Sequence, residues 1–143
     1  MDTCRIYNTK IRAFHMPRGY YLACPINAGF SLGTEVEKEL NVRYDMKKKL
    51  QKFYADYEFT GGDCLPVDDV FNLVIKDKYR HPTNEKIIRD ALETMKTFVK
   101  ELLITHIAIP RFEYGKNMSW ETINGIIEDV FADTDITIFI CEL

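Results

Sequence analysis

No stretch of this 143-residue chain approaches the roughly 20 consecutive apolar residues that a membrane-crossing helix needs, so no spanning segment is expected. The opening Met-Asp-Thr-Cys-Arg lacks a basic segment followed by an apolar one, so no secretory signal is expected and the chain reads as cytoplasmic. Excess positive charge is missing too. Lys plus Arg is 19 against 22 Asp plus Glu, a net charge of −3, which argues against a non-specific nucleic-acid binder. Close metal-ligand spacing is also absent. Cys4, Cys24, Cys64 and Cys141 stand far apart with no Cys-x-x-Cys pair, and His15, His81 and His106 are equally scattered. The thiols therefore read as buried and free in a reducing compartment, and neither a metal nor a cofactor is expected. There is no internal repeat, low-complexity segment or linker, so one domain is expected over residues 1–143.

What is present is a core. With 46% hydrophobic, 13% aromatic and 29% charged side chains, the composition fits a globular fold that needs no staple. Residues 11–14 and 19–25 read as short strands around a Pro17-Arg18-Gly19 turn. Thr34 caps a short helix over 35–40, and a second helix over 44–57 carries Leu50, Phe53 and Tyr54 inward, with Lys47, Lys48 and Lys49 as a solvated face. Residues 64–67 and 70–75 read as a hairpin joined at Asp68-Asp69, and the second of these strands is apolar enough to be covered on both faces. Asn72 within it reads as a satisfied polar residue at a sheet edge. Thr83 is the expected N-cap of a long helix with Ile87, Ile88, Ala91, Leu92, Met95, Phe98, Val99, Leu102 and Leu103 in its stripe. A strand over 104–109 ends at Pro110. A helix capped at Ser119 or the residue before it turns Trp120, Ile123, Ile126, Ile127, Val130 and Phe131 inward, and 136–141 is a last strand. The alternation implies parallel crossovers and an α/β sheet with helices on both faces.

In such sheets ligands bind beyond the carboxyl ends of the strands. Three connections qualify, over 27–34, 76–82 and 111–118, and each leads into a helix whose free N–H groups suit an anion such as a diphosphate. Glycines at Gly29, Gly33 and Gly115 allow a phosphate close to the backbone. Tyr79 has the loop freedom to stack on a base, whereas Trp120 reads as core. Arg111 either pairs with a phosphate or packs beneath its loop.

Several segments run in a familiar order: Leu73-Val74-Ile75-Lys76, His81-Pro82-Thr83, Ile109-Pro110-Arg111 followed by Gly115, Trp120, Ile127-Glu128-Asp129-Val130-Phe131, and 138–143. The chain resembles the macro domain family, in its small branch typified by terminal ADP-ribose protein glycohydrolase. The match covers about 73–143 and thins over 22–40, where it rests on Ile26, Gly33 and the helix that follows. The resemblance implies a three-layer α/β/α sandwich with a mixed, mostly parallel central sheet. It implies ADP-ribose, or a related nucleotide, held across the loop end by Ile26, Asn27, Gly33, Thr34, Pro110, Arg111, Phe112, Glu113, Tyr114, Gly115 and Leu143. The 27–34 loop would meet the distal ribose, the 111–118 loop the diphosphate, and Leu143 the adenine end.

The resemblance also implies chemistry. Lys76 falls where that branch has a lysine that attacks the anomeric carbon, and a lysine does so only when neutral. Asn117 occupies the position of the aspartate that assists release, and an amide cannot take a proton as a general base. Glu113 places a carboxylate beside the expected diphosphate, Tyr114 is bulky where the family is small, and Glu35 stands where a glycine is usual. The acidic adenine-binding turn is replaced by His15-Met16-Pro17-Arg18-Gly19. Three readings follow: a binder of ADP-ribose; a hydrolase using Lys76 on an ADP-ribosylated protein, with Asn117 or Asp77 positioning water; and a non-enzymatic interaction protein on a degenerate macro scaffold. The compact, edited form suits a phage or bacterial member.

Overall fold

The computed structural model describes residues 3–77, 82–112 and 118–143. The strands among these residues are β1 (Arg5–Arg12), β2 (Tyr21–Asn27), β3 (Cys64–Val67), β4 (Val70–Lys76), β5 (His106–Pro110) and β6 (Thr137–Glu142). They form one sheet in the order β1-β6-β5-β2-β4-β3. Every neighbouring pair is parallel except the β3–β4 hairpin. Among the described residues four α-helices complete the fold: α1 (Glu35–Tyr44), α2 (Met46–Phe53), α3 (Glu85–Glu101) and α4 (Trp120–Phe131).

Strand alternation divides the core in two. Phe71, Leu73 and Ile75 of β4, with Ile107, Ile109, Ile138 and Ile140, join the buried faces of α3 and α4. Val70 and Val74, with Leu22, Cys24 and Ile26 of β2, join Val36, Leu40, Met46 and Leu50 from α1 and α2. The result is the three-layer α/β/α sandwich with a mixed, mostly parallel sheet. β2 and β4 are buried almost end to end because both faces are covered.

The structure shifts several boundaries. The first strand starts at Arg5, not Ile11, and residues 13–15 form a 3-10 turn. Its sequence Arg-Ile-Tyr-Asn-Thr-Lys-Ile-Arg hides a strand because it lies on the sheet edge, mostly exposed. α1 runs on to Tyr44, where Asp45 takes left-handed backbone at φ 53° and separates it from α2. α2 ends at Phe53 rather than at residue 57. Tyr54 turns away to donate its hydroxyl to the Pro66 carbonyl at 2.8 Å and packs edge-on against Tyr57 and Phe59. Phe53 itself is exposed.

Asn84 rather than Thr83 caps α3, accepting from the Ile87 N–H at 2.9 Å, while the buried Thr83 hydroxyl has no partner among the described residues. Asn72 is not at an edge: β4 lies between β2 and β3. Its Nδ2 donates to the Leu65 carbonyl at 3.0 Å, and its Oδ1 has no partner among the described residues.

Leu102 and Leu103 leave the apolar stripe of α3 because the helix ends at Glu101. Leu103 sits just past that end at φ 55° with 84% of its surface exposed, and the Ile104 N–H reaches back to the Val99 carbonyl at 3.0 Å. Left-handed backbone at this position favours glycine. Leu103→Gly is therefore expected to raise stability by about 0.5–1 kcal/mol, since relief of strain outweighs the glycine's extra unfolded-state freedom. Urea unfolding checks this, and an unchanged or lowered midpoint contradicts it.

Candidate functional site

The chain leaving β2 enters α1 on one face of the sheet, and the chain leaving the adjacent β5 enters α4 on the other. Connections that diverge from neighbouring parallel strands open a crevice at their carboxyl ends. Both helices begin toward it with capped N-termini. Thr34 Oγ1 accepts from the Glu37 N–H at 3.2 Å, and Ser119 Oγ accepts from the Thr122 N–H at 3.3 Å. Their dipoles favour negative charge in the crevice.

The turn over 27–34 is built around Asn27. Its Nδ2 donates to Ser31 Oγ at 3.0 Å and to both Glu37 carboxylate oxygens at 3.1 and 3.0 Å. Its Oδ1 accepts from the Gly29 N–H at 3.1 Å. The Thr34 hydroxyl also donates to Glu37 Oε1 at 3.1 Å. Left-handed backbone in this turn falls on Phe30 and Leu32. Phe30 tolerates it because its ring is buried against the α1–α2 core.

Lys76 ends β4 directly opposite Asn27 in the β2–β4 register, and the Ala28 N–H donates to the Lys76 carbonyl at 2.9 Å. The lysine is half-buried. Asp77 beside it is engaged elsewhere, its Oδ1 accepting from the Gly61 N–H at 2.7 Å. That contact ties the end of β4 to the turn that opens β3, where Gly62 at φ +103° donates to the Val74 carbonyl at 2.7 Å.

The other expected site residues fall as follows. Ile26 is buried in the core beneath the turn. Pro110 closes β5 opposite Cys141, and the Arg111 N–H donates to the Cys141 carbonyl at 2.9 Å. The Arg111 guanidinium lies over the Trp120 ring at 5.7 Å. Phe112 meets Trp120 edge-on at 6.0 Å. The Leu143 carbonyl accepts from Arg12 Nε at 2.7 Å beside a hollow of about 190 Å³ that Glu35 and Lys38 help to line. Asn27, Thr34 and Lys76 are thus brought to one edge, with Pro110 on the adjoining strand and Leu143 one strand beyond that. Glu113, Tyr114, Gly115 and Asn117, like Tyr79 and His81, lie outside the described residues.

Glu37 escaped the sequence reading. The signal was there in Thr34-x-x-Glu37, the spacing of a capping box. The carboxylate is wholly inaccessible, and burial pushes its pKa up despite opposing hydrogen bonds from Thr34 and Asn27. Burial likewise raises the Cys24, Cys64 and Cys141 thiols, the last to about 11, which makes them poor nucleophiles. Among the described residues no group of three or more His, Cys, Asp or Glu could hold a metal ion, and no helix is long and apolar enough to cross a membrane.

No family model matches the chain. It is 32% identical over 75 residues to the ADP-ribose glycohydrolase OARD1 of Bos taurus, a span of 52% of this chain and 49% of that protein. The chain thus spans about half the length of the curated relatives it matches. The macrodomain of Thermus aquaticus DarG superposes with a TM-score of 0.82 at 16% identity, covering 98% of this chain and 99% of that one. Thermosipho africanus DarTG in complex with ADP-ribose superposes with a TM-score of 0.71 at 13% identity, over 88% of this chain and 39% of that one. The chain has the macrodomain fold.

Because the folded state holds the Glu37 proton more tightly than the unfolded chain, this residue's contribution to stability declines as pH rises above about 4.3 and levels off above the raised native value. Glu37→Gln removes that decline. The difference in Tm, variant minus wild type, is expected to grow across that pH interval in thermal unfolding; a pH-independent difference contradicts the assignment.

Proposed function

We propose that the protein binds ADP-ribose, or a closely related nucleotide, across the carboxyl edge of its sheet. One observation carries the reading: the strand order reverses between β2 and β5, so two capped helix N-termini face the crevice where the turn at Asn27 stands beside Lys76. In this reading the diphosphate lies between the starts of α1 and α4, and the distal ribose lies between the 27–34 turn and Lys76. The adenine extends toward Arg12 and Leu143. Likeness to OARD1 and to the DarTG chain solved with ADP-ribose supports the choice of ligand. Isothermal titration is expected to give saturable heat with ADP-ribose; none at millimolar ligand contradicts the reading.

The position of Lys76 favours a second reading, hydrolysis of an ADP-ribosylated protein. A half-buried lysine whose strand is tied to the turn opposite can lie against the anomeric carbon of a ribose held there. When neutral, its Nζ would bond to that carbon as the protein's carboxylate leaves with the bonding pair, and water would later release the sugar. Asp77 is held by the Gly61 N–H, so its help with water would require that contact to open. With a mono-ADP-ribosylated protein as substrate, Lys76→Ala is expected to abolish release of ADP-ribose while still binding it. Equal release by both proteins, or none by either, removes this second reading.

A further inference from the structure

We infer that Glu37 is a positioning residue: without touching the ligand, it holds the 27–34 turn in the form that accepts a ribose beside Lys76. The inference rests on the ADP-ribose reading above.

Among the described residues the donors that reach the Glu37 carboxylate are neutral: Asn27 Nδ2 on both oxygens, the Thr34 hydroxyl on one, and the backbone at both residues. None of the ion pairs among the described residues includes it. A carboxylate buried without a cation is an expensive way to fill space. Its effect is instead directional. By drawing Nδ2 onto itself, the carboxylate fixes the plane of the Asn27 amide, and this turns Oδ1 toward the Gly29 N–H. Ser31 hangs from the same Nδ2. Gly29 and Ser31 are thereby anchored to one side chain whose own backbone faces Lys76 across the β2–β4 register. The next residue's N–H bonds to the Lys76 carbonyl, so Glu37 is linked to the end of β4 through the Asn27 side chain and one step of backbone. Removing the carboxylate frees the amide to rotate and releases the turn from both anchors, while leaving the apolar core beneath it filled.

A filler and a positioning residue differ in what their loss does to stability and to binding. The test compares wild type, Glu37→Leu and Glu37→Gln in the full chain, titrated with ADP-ribose and with ADP, which lacks the distal ribose. Thermal unfolding and amide hydrogen exchange at Gly29 are read alongside. Glu37→Leu is expected to unfold modestly below the wild-type temperature at neutral pH, because an Asn27 Nδ2 hydrogen and the Thr34 hydroxyl lose their acceptor. It should lose about tenfold or more in affinity for ADP-ribose, of the order a fixed hydrogen bond supplies, with ADP changed less than about twofold. Glu37→Gln keeps one acceptor oxygen and should fall between the two. Exchange at Gly29 should quicken by about tenfold or more in Glu37→Leu. Unchanged selectivity between the two ligands, or parallel loss of both, overturns the positioning role. If Glu37→Leu does not fold, the selectivity of Glu37→Gln decides by the same criterion. Absence of ADP-ribose heat from wild type sinks the functional reading alone, and exchange at Gly29 then judges whether Glu37 holds the turn, with unchanged protection counting against it.

Discussion

Because β2 is hydrogen-bonded to a parallel strand on each side and covered on both faces, the chain leaving its carboxyl end has few directions open to it. It must rise over the edge of the sheet and descend as α1 on one face, while the chain from β5 descends as α4 on the other. Two buried parallel pairings therefore dictate where a crevice forms and which helix ends point into it. The apolar register of Leu22, Cys24 and Ile26 against Val70 and Val74 sets that arrangement. A slip of one residue would turn the whole set away from α1 and α2. Lys76 and Asn27 face each other as the last pair of this ladder, so the site inherits its geometry from the core.

The same constraint explains what was readable in the amino-acid order. Long apolar segments such as 70–75 and the stripe through Ile88, Leu92, Met95 and Val99 declare themselves by period and by the absence of charge. The order of these segments carried the resemblance to macro domains, which the fold bears out. Edge strand β1 was hidden for the opposite reason: Arg5, Asn8, Lys10 and Arg12 are tolerated where only one side of the strand is paired. The break at Asp45 depends on a left-handed residue that is not glycine, a choice that local propensity does not announce. Leu102 and Leu103 continue the spacing of α3 past the point where the helix stops, so periodicity counted them as core.

Side-chain roles were less legible than elements. Arg111 has two readings from its place after a strand-ending proline, and the order of residues alone does not show that its guanidinium lies over the Trp120 ring. Glu37 was passed over because an acidic residue in the first turn of a helix has an ordinary explanation in the dipole. Its burial depends on Asn27, ten residues earlier, and that pairing is a tertiary fact. Such a residue sits at odds with economical packing, and mismatches of this kind tend to mark places where a site has to be held in a particular form.

An anion of nucleotide size is proposed to bind where the β2 and β5 connections diverge. A crystal of the protein soaked with ADP-ribose puts this to the test. The diphosphate is expected between the start of α1 at Thr34 and the start of α4 at Ser119, with the distal ribose against Lys76. A ligand bound elsewhere on the surface, or a crevice left empty at saturating ADP-ribose, would contradict it.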